Sequence, residues 1–214
     1  MDAFPHLFLA LLQYNLTLTL GAVAIALPIS CFCAVARLSS IKLIAYPMRA
    51  YVNVLRSLPL VLVMFWIYMV LPIINGISVS AFWSALVALA LFEIAYFTEI
   101  VRSGIQSVSV NQWSAGVASG LSRYQALRHI IIPQALRRMT PALLMQTLIA
   151  FQDSTISSII GVPEILHVTT ITNAREQDPV TLYILLAVTF FVLCYLASQS
   201  VNSLERRYRQ KLGY

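Results

Sequence analysis

Charged residues are scarce in this chain. Of its 214 residues, 14 are Lys or Arg and 8 are Asp or Glu, so that 10% carry charge, whereas 59% are hydrophobic. A soluble domain usually has about a quarter of its residues charged. The shortage of charge excludes a soluble protein and indicates an integral membrane protein.

The chain also lacks the phosphate-binding loop of ATPases, Gly-x-x-x-x-Gly-Lys-Ser/Thr, in which a lysine must follow a glycine. Its two lysines, Lys42 and Lys211, follow Ile41 and Gln210. We therefore predict that this chain does not hydrolyse ATP and is not an enzyme.

Cysteine and histidine are few, and none has the spaced partners of a metal site. No Ser-His-Asp order or pair of carboxylates marks an active site either. The six residues concerned are Cys31, Cys33, Cys194, His6, His129 and His167. We predict no catalytic residue, metal or cofactor in this chain.

Four long runs contain no charged residue, namely 7–36, 57–92, 139–152 and 179–204. A bilayer-crossing helix needs about 20 mainly apolar residues, so the run 57–92 is too long for one crossing. Pro72 and the Asn75-Gly76 pair supply a turn in its middle. Because the N-terminal MDAFPHLF lacks the features of a signal peptide, we expect the first run to be retained.

The pattern predicts an all-α membrane protein in which residues 1–214 form a single transmembrane domain of five helices. The predicted spans lie at about 12–36, 57–73, 80–104, 136–156 and 180–203.

Basic residues fall on one side of this topology. Thirteen of the fourteen flank the first, second, third and fourth spans on that side or lie in the tail: Arg37, Lys42, Arg49, Arg56, Arg102, Arg123, Arg128, Arg137, Arg138, Arg206, Arg207, Arg209 and Lys211. The exception, Arg175, lies in a predicted loop with Glu164, Glu176 and Asp178. Short cytoplasmic loops are enriched in Lys and Arg, so we predict an external N-terminus and a cytoplasmic C-terminus. The net charge of +6 then follows from topology and the lipid surface, and requires no nucleic acid.

A polar loop at about 107–133 interrupts the apolar runs. Asn111 is predicted to cap a short helix that Gly120 ends in the left-handed conformation. Ser122 and Gln125 fit the capping box of a second helix, and Pro133 is predicted to mark the boundary before the fourth span.

These two short helices are predicted to expose one face and to pack with the other. Arg123, Arg128 and His129 are expected outside. The residues expected to pack inward are Trp113, Val117, Tyr124, Leu127 and Ile131. An amphipathic connector that only covers the ends of the spans is an alternative interpretation, because such connectors are common at membrane surfaces.

The spacing in this loop resembles the coupling-loop signature of ABC importer permeases. In that signature Glu-Ala-Ala is followed after three residues by Gly, and nine residues later by Ile-x-Leu-Pro. The matching positions here are Ser114, Ala115, Gly116, Gly120, Ile130, Ile132 and Pro133. The spacing is kept, but Ser114 stands where the family has an acidic residue.

The resemblance extends along nearly the whole chain. The segments AYVNVLRSLPLV, FEIAYFTEIVRSGIQSVS, IIIPQALRRMTPALL and FQDSTISSIIGVPEIL occur in the order of permeases of the polar amino acid importers. AYVNVLRSLPLV and FQDST are most similar to the glutamate and aspartate branch. The resemblance implies a type I ABC importer permease fold, with a cytoplasmic coupling helix between the third and fourth spans.

It also implies partners and a location. These are two ATPase subunits that carry ATP and Mg, a second permease subunit, identical or homologous, and an extracytoplasmic amino acid binding protein, in a bacterial inner membrane. The residues that the resemblance places at the ATPase contact are Ser114, Ala115, Gly116, Ala118, Gly120, Arg123 and Arg128.

Intramembrane carboxylates mark candidate substrate contacts, because ionisable groups are costly in lipid. Glu93, Glu99 and Asp153 qualify, although Glu99 is also placed to pair with Arg102 and Asp153 to lie at a wetted helix end. The predicted path consists of Met64, Tyr68, Tyr96, Glu99, Gln146, Gln152, Asp153 and Ser154, with Met145 beside them. For each of them alone, ordinary helix packing is the alternative interpretation.

Two lines of argument favour different amino acids as the substrate. The resemblance favours glutamate or aspartate, whereas three carboxylates without a mid-membrane Lys or Arg favour glutamine, histidine or a basic amino acid. Helix N-termini or a partner subunit are alternative sites for a substrate carboxylate. A proton-coupled carrier using Glu93, Glu99 or Asp153 is the alternative of another class, although no internal repeat supports it.

Overall fold

The computed structural model describes residues 3–76 and 78–212, with side chains for 5–76 and 78–206. All regular secondary structure in these ranges is helical. The helices are α1 at 3–38, α2 at Lys42–Ser57, α3 at Leu60–Asn75, α4 at Ala81–Gln106, α5 at Val110–Ala118, α6 at Arg123–Ile160, α7 at Ile165–Glu176 and α8 at Pro179–Leu212. Wider π-helical turns interrupt α1 at Leu11–Asn15, α3 at Trp66–Val70 and α6 at Leu127–Ile131.

Four of these helices, α1, α4, α6 and α8, are long and apolar enough to cross a bilayer. The pair α2 and α3 bends by 106° at its break and forms a fifth candidate span in the described chain. The predicted all-α membrane architecture is confirmed. The predicted spans 12–36, 80–104, 136–156 and 180–203 fall on the four long helices, which extend beyond them at every end except position 80, one residue before α4.

The second predicted span differs from the structure. The predicted span 57–73 begins three residues before α3, and the segment before it, predicted as a loop, forms α2. Pro59 lacks an N–H and restricts the preceding residue, and Leu58 is extended at φ −100° and ψ 143°. The break between α2 and α3 therefore has a local cause.

The core lies where α1 packs along α4. Ala22 and Ala26 of α1 and Ala85 and Ala88 of α4 have no exposed surface. Small residues let two helix backbones approach closely, and dispersion contacts then replace the hydrophobic effect that is absent in lipid. Leu89 and Phe97, both fully buried, fill the space beside these alanines.

Side-chain contacts define the two ends of the bundle. Arg37 of α1 donates to Glu99 of α4, and Arg138 of α6 donates to the carbonyl of Ser107. These contacts gather one set of helix ends beside α5, which we call the α5 end. At the opposite end, which we call the α7 end, Asn15 of α1 donates to Ser154 Oγ at 2.9 Å.

Helix α7 was predicted as a loop, and the structure corrects this. Glu164 caps it, because its carboxylate accepts from the backbone N–H of Leu166 at 3.0 Å and of His167 at 2.7 Å. Asn15 joins this cap to α1, since its Nδ2 donates to Glu164 Oε2 at 3.1 Å and its Oδ1 accepts from Ile165 N at 3.2 Å. Glu164 and Asn15 have no exposed surface, so α7 is tied to the bundle by a buried polar network.

This network predicts a pH dependence of stability. Burial raises the pKa of Glu164 above its ordinary value of 4.5, although hydrogen bonds from Leu166, His167 and Asn15 offset part of the rise. The folded protein therefore binds this proton more tightly than the unfolded chain. The contribution of Glu164 to the free energy of unfolding is complete below pH 4.5 and is lost as pH rises through the raised pKa.

The Glu164→Gln variant should lose this part of the pH dependence, because it has no proton to release. Thermal unfolding of purified protein in detergent, followed between pH 4 and pH 8, measures the slope. Glu176→Gln is the matched control, since Glu176 is an exposed carboxylate in the same helix. Identical slopes for the wild type and the Glu164→Gln variant would contradict the expectation.

Candidate functional site

The loop before α6 forms a helical hairpin, and the predicted glycine turn and capping box are both present in it. Gly120 has φ +85°, and the hydrogen bonds from Leu121 N to Gly116 O at 3.2 Å and from Gly120 N to Val117 O at 3.0 Å form a Schellman motif. The capping box is confirmed, because Gln125 N donates to Ser122 Oγ at 3.2 Å and Ser122 N donates to Gln125 Oε1 at 2.8 Å. Both turns are set by residues within five positions of each other.

Two local expectations for this loop are wrong. Helix α5 begins at Val110 after an extended Ser109, so Asn111 lies inside the helix and does not cap it. Pro133 does not end a helix, because Ile132 is helical at φ −58° and ψ −46°. The π-helical turn Leu127–Ile131 precedes this proline and widens the helix where proline removes a hydrogen-bond donor. Helix α6 therefore runs from the hairpin into the membrane without a break.

Gly116 is where the two arms of the hairpin touch. An added Cβ at this position would lie 2.9 Å from Ile130 Cδ1 and 3.1 Å from Ala126 Cβ. Both distances are shorter than ordinary van der Waals contact, so glycine allows α5 to pack closely against the first turns of α6. Of the predicted ATPase-contact residues, Gly116 thus lies on the inner face.

The other residues of this set lie on the outer face. The exposed members are Ser114, Ala115, Ala118, Gly120, Arg123 and Arg128. Ile131 is fully buried and Trp113 and Leu127 are half-buried, but Val117 and Tyr124 are 48% and 68% exposed, contrary to the predicted inward packing. The outer face of α5 and the start of α6, which we call the hairpin face, combines small, basic and apolar side chains.

The predicted path residues do not form one cluster. Gln146 of α6 donates from Nε2 to both carboxylate oxygens of Glu93 in α4, at 3.2 Å each. Glu93 has no exposed surface. Ser154 is also fully buried, and it donates to Phe151 O at 2.7 Å while accepting from Asn15. Ser154 therefore belongs to the network at the α7 end and offers no free group to a path.

Asp153 is half-buried at the end of the regular part of α6. It makes no ion pair and no hydrogen bond through its side chain within the ranges 5–76 and 78–206. Gln152 is exposed and, together with Met145, Phe190 and Tyr195, lines an open cavity of about 370 Å³ between α6 and α8. Met64 is buried in the core, whereas Tyr68 and Tyr96 are half-buried beside it.

Glu99 lies in a cluster that was only partly expected. The predicted contact with Arg102 is present, with Nε 3.1 Å from Oε2. Arg37 of α1 binds the same carboxylate, and Arg56 of α2 places NH1 4.0 Å from Oε2. Arg37 and Arg56 come from distant parts of the sequence, and no local pattern could have joined them to Glu99.

A second cavity, of about 470 Å³, opens at the α7 end between α1 and α7. His6, Gln13 and Tyr14 line it from α1, and Thr172 and Arg175 line it from α7. Arg175 is the single basic residue that the sequence pattern separates from all the others. The cavity therefore offers polar groups of both helices on the face opposite the hairpin.

The chain is similar to known transport proteins both in sequence and in structure. Residues 26–210 match the family described as binding-protein-dependent transport system inner membrane component. The chain is 36% identical to the glutamate/aspartate import permease protein GltK of Escherichia coli O6:H1 (strain CFT073), over 97% of this chain and 95% of that protein. It is 34% identical to the probable amino-acid ABC transporter permease protein YckA of Bacillus subtilis (strain 168), over 97% and 91%.

Two solved structures of transporters have a fold similar to that of this chain. A crystal structure of an amino acid ABC transporter with histidines superposes with a TM-score of 0.91 at 32% identity, covering 96% of this chain and 95% of that chain. The MetNI methionine ABC transporter in an inward-facing conformation has a TM-score of 0.75 at 19% identity, over 97% of each chain, and shares the fold.

Proposed function

Since this chain belongs to the family of binding-protein-dependent transport system inner membrane components and is the permease subunit of an amino acid ABC importer, we propose that it passes glutamate or aspartate from an extracytoplasmic binding protein to the cytoplasm. The subunit is a multi-pass inner membrane protein and does not catalyse ATP hydrolysis. The similarity to GltK supports the choice of substrate.

The hairpin face is the proposed contact with the ATPase. Its small residues Ser114, Ala115 and Ala118 are exposed on a helix whose other side is packed through Gly116. Val117 and Tyr124, exposed apolar side chains that the sequence pattern placed inward, add contact area, and Arg123 and Arg128 add charge. Buried apolar contacts with a polar rim are typical of protein interfaces. This exposed face on a rigid hairpin is the observation that carries the proposal.

We infer the remaining partners from the family and the orientation from the positions of the basic residues. We place the α5 end in the cytoplasm because the basic residues gather there, which puts the N-terminus outside and the C-terminus inside. The cavity between α1 and α7 then faces outward, where the binding protein would dock. Two ATPase subunits, with ATP and Mg, and a second permease subunit, identical or homologous, would complete the transporter.

The proposed substrate path uses the half-buried residues Tyr68, Tyr96 and Asp153. Asp153 is the carboxylate best placed to hold the α-ammonium group of an amino acid, because it has no partner in the described chain and is half-buried. Glu99 is paired with arginines, which weakens the electrostatic case for a basic substrate, whereas Gln146 gives Glu93 hydrogen bonds but no opposite charge. A rigid-body movement of the hairpin would tilt α6 and open this path to alternate sides.

Transport in proteoliposomes tests the proposal. The permease is reconstituted with its ATPase and binding protein, and uptake of labelled glutamate is measured with ATP or ADP inside and with or without a proton gradient. We expect uptake that requires ATP, ignores the gradient and is inhibited by excess aspartate but not by histidine or lysine. Gradient-driven uptake without ATP would instead favour the proton-coupled carrier, and inhibition by glutamine, histidine or lysine alone would change the assigned substrate.

A further inference from the structure

Three arginines surround the single carboxylate of Glu99. Arg37 and Arg102 donate to it directly, and Arg56 NH1 lies 4.0 Å from its Oε2. The arginines come from three separate helices, α1, α2 and α4. One carboxylate balances one of three guanidinium groups, so two positive charges remain in excess at this point.

Arg56 is the arginine that remains available. Its distance of 4.0 Å from Glu99 exceeds that of a hydrogen bond, and it donates no hydrogen bond in the described chain. Its side chain is 39% exposed, against 12% for Arg37 and 23% for Arg102. The Arg56 guanidinium lies over the ring of Tyr96, 5.2 Å from the centroid, which orients its plane and leaves its N–H groups free.

Arg56 lies in the last turn of α2, where a positive charge interacts favourably with the helix dipole. It lies one residue before the end of α2, at the 106° break between α2 and α3. Five residues earlier, the Tyr51 hydroxyl donates to the carbonyl of Leu91, near the middle of α4. Broken helices at membrane depth occur where the backbone lines a cavity or is buried in protein.

The N-terminus of α3 adds to the positive potential at this break. No side chain caps the first N–H groups of α3, which begins four residues after Arg56. The positive end of the α3 dipole therefore lies four residues from Arg56, across the break from the negative end of the α2 dipole. Tyr96 and Glu99, two residues of the predicted path, complete this surface.

Arg37 and Arg102 hold the Glu99 carboxylate without a hydrogen bond from Arg56. Arg37 already joins α1 to α4 through Glu99, and Arg102 holds the same carboxylate from within α4. An exposed pair at 4.0 Å adds little stability to these contacts. A positive charge that no carboxylate balances, located at a helix break, is expected to bind an anion transiently.

We propose that the Arg56 guanidinium, stacked on Tyr96 beside the Glu99 cluster, receives a carboxylate of the amino acid during its passage. This inference rests on the proposed function and adds a specific contact to it. The carboxylate is either the α-carboxylate, which all amino acids share, or the side-chain carboxylate of glutamate and aspartate. A planar guanidinium binds either one through two parallel hydrogen bonds.

The Arg56→Gln variant tests the contact in the reconstituted transporter. Uptake of glutamate should fall by about tenfold or more, which corresponds to the loss of a charged hydrogen-bond pair. The apparent melting temperature should stay at the wild-type level, because the Arg37 and Arg102 contacts remain. The Arg56→Lys variant keeps the charge and should recover part of the uptake.

Arg49→Gln is the matched control. Arg49 lies in the same helix, and its guanidinium likewise lies over a tyrosine ring, that of Tyr46 at 5.8 Å, but it makes no ion pair with a carboxylate in the described residues. Its uptake should equal that of the wild type. Equal loss in the Arg49→Gln and Arg56→Gln variants would overturn the proposal, because it would mean that any charge removed from α2 has the same effect.

Uptake of glutamine, supplied through a binding protein that accepts it or at high concentration, separates the two carboxylates. If Arg56→Gln lowers glutamate uptake alone, Arg56 binds the side-chain carboxylate; if it lowers both, Arg56 binds the α-carboxylate. Glutamate and glutamine uptake both within about twofold of the wild type would overturn the contact. A wild-type transporter that takes up neither substrate with ATP would instead contradict the proposed function.

Discussion

Replacing Gln146 with leucine should strongly destabilise the protein. Gln146 is the hydrogen-bond partner of Glu93, which has no exposed surface and lies in the middle of α4. Leucine has a similar volume but no donor, so it would leave the Glu93 carboxyl group buried without this contact. Removing one partner of a buried polar or charged pair costs about 3 kcal/mol or more.

The Glu93→Leu, Gln146→Leu double variant should recover most of this loss. Replacing both members of a buried polar pair with apolar residues of similar size is often neutral or stabilising. The apparent melting temperature and the yield of monodisperse protein in detergent measure both variants. A double variant as unstable as the Gln146→Leu variant would show that Gln146 matters for another reason.

Replacing Gly120 with valine should uncouple ATP hydrolysis from transport. Gly120 has φ +85°, and an added Cβ would meet no atom within 4 Å, so the penalty arises from the backbone and not from a collision. A left-handed conformation costs an ordinary residue about 1–2 kcal/mol, and it is least accessible to a β-branched one. The Schellman turn should therefore rearrange and displace α5 relative to α6.

We expect the Gly120→Val transporter to insert normally and its uptake to fall by about 5- to 30-fold, since a shift of about 1–2 kcal/mol opposes the engaged state. Stimulation of ATP hydrolysis by the loaded binding protein should fall with it. Gly76→Val is the matched control, since Gly76 also has positive φ, at +69°, and open space, but lies in the turn between α3 and α4. Equal loss of uptake in both variants would assign the effect to general strain.

The local part of the coupling hairpin was predictable because its signals act over short distances. The capping box joins Ser122 to Gln125, and the Schellman turn needs glycine at position 120. The cap at Asn111 was wrong because Asn, Ser and Gly are all acceptable at such positions, and Ser109 precedes the helix instead. Helix α7 was not predicted because its polar residues are typical of a loop. Its start is stabilised by Asn15 and Glu164, which lie outside the helix.

Contacts between distant parts of the chain also limited the prediction of the substrate path. The pair Glu99 and Arg102 was predictable from a spacing of three residues on one helix. The excess positive charge at the break was not, because Arg37 and Arg56 reach Glu99 only after α1, α2 and α4 pack. The argument that the path has no mid-membrane Lys or Arg considered only positions along the chain, and it stays a prediction.

By itself the sequence determined the membrane location, the approximate spans and the family, because apolar length, charge distribution and short motifs are all properties of neighbouring residues. Only the tertiary structure decided which polar groups are satisfied and which remain free. Ser154 is hydrogen-bonded to Asn15, and Glu93 to Gln146. Glu99 is bound by Arg37 and Arg102. Arg56 and Asp153 make no side-chain hydrogen bond in the described residues. The physical reason is that a buried hydrogen bond or ion pair depends on distances between helices, and these are set by how small residues such as Ala22 and Ala88 let the helices approach.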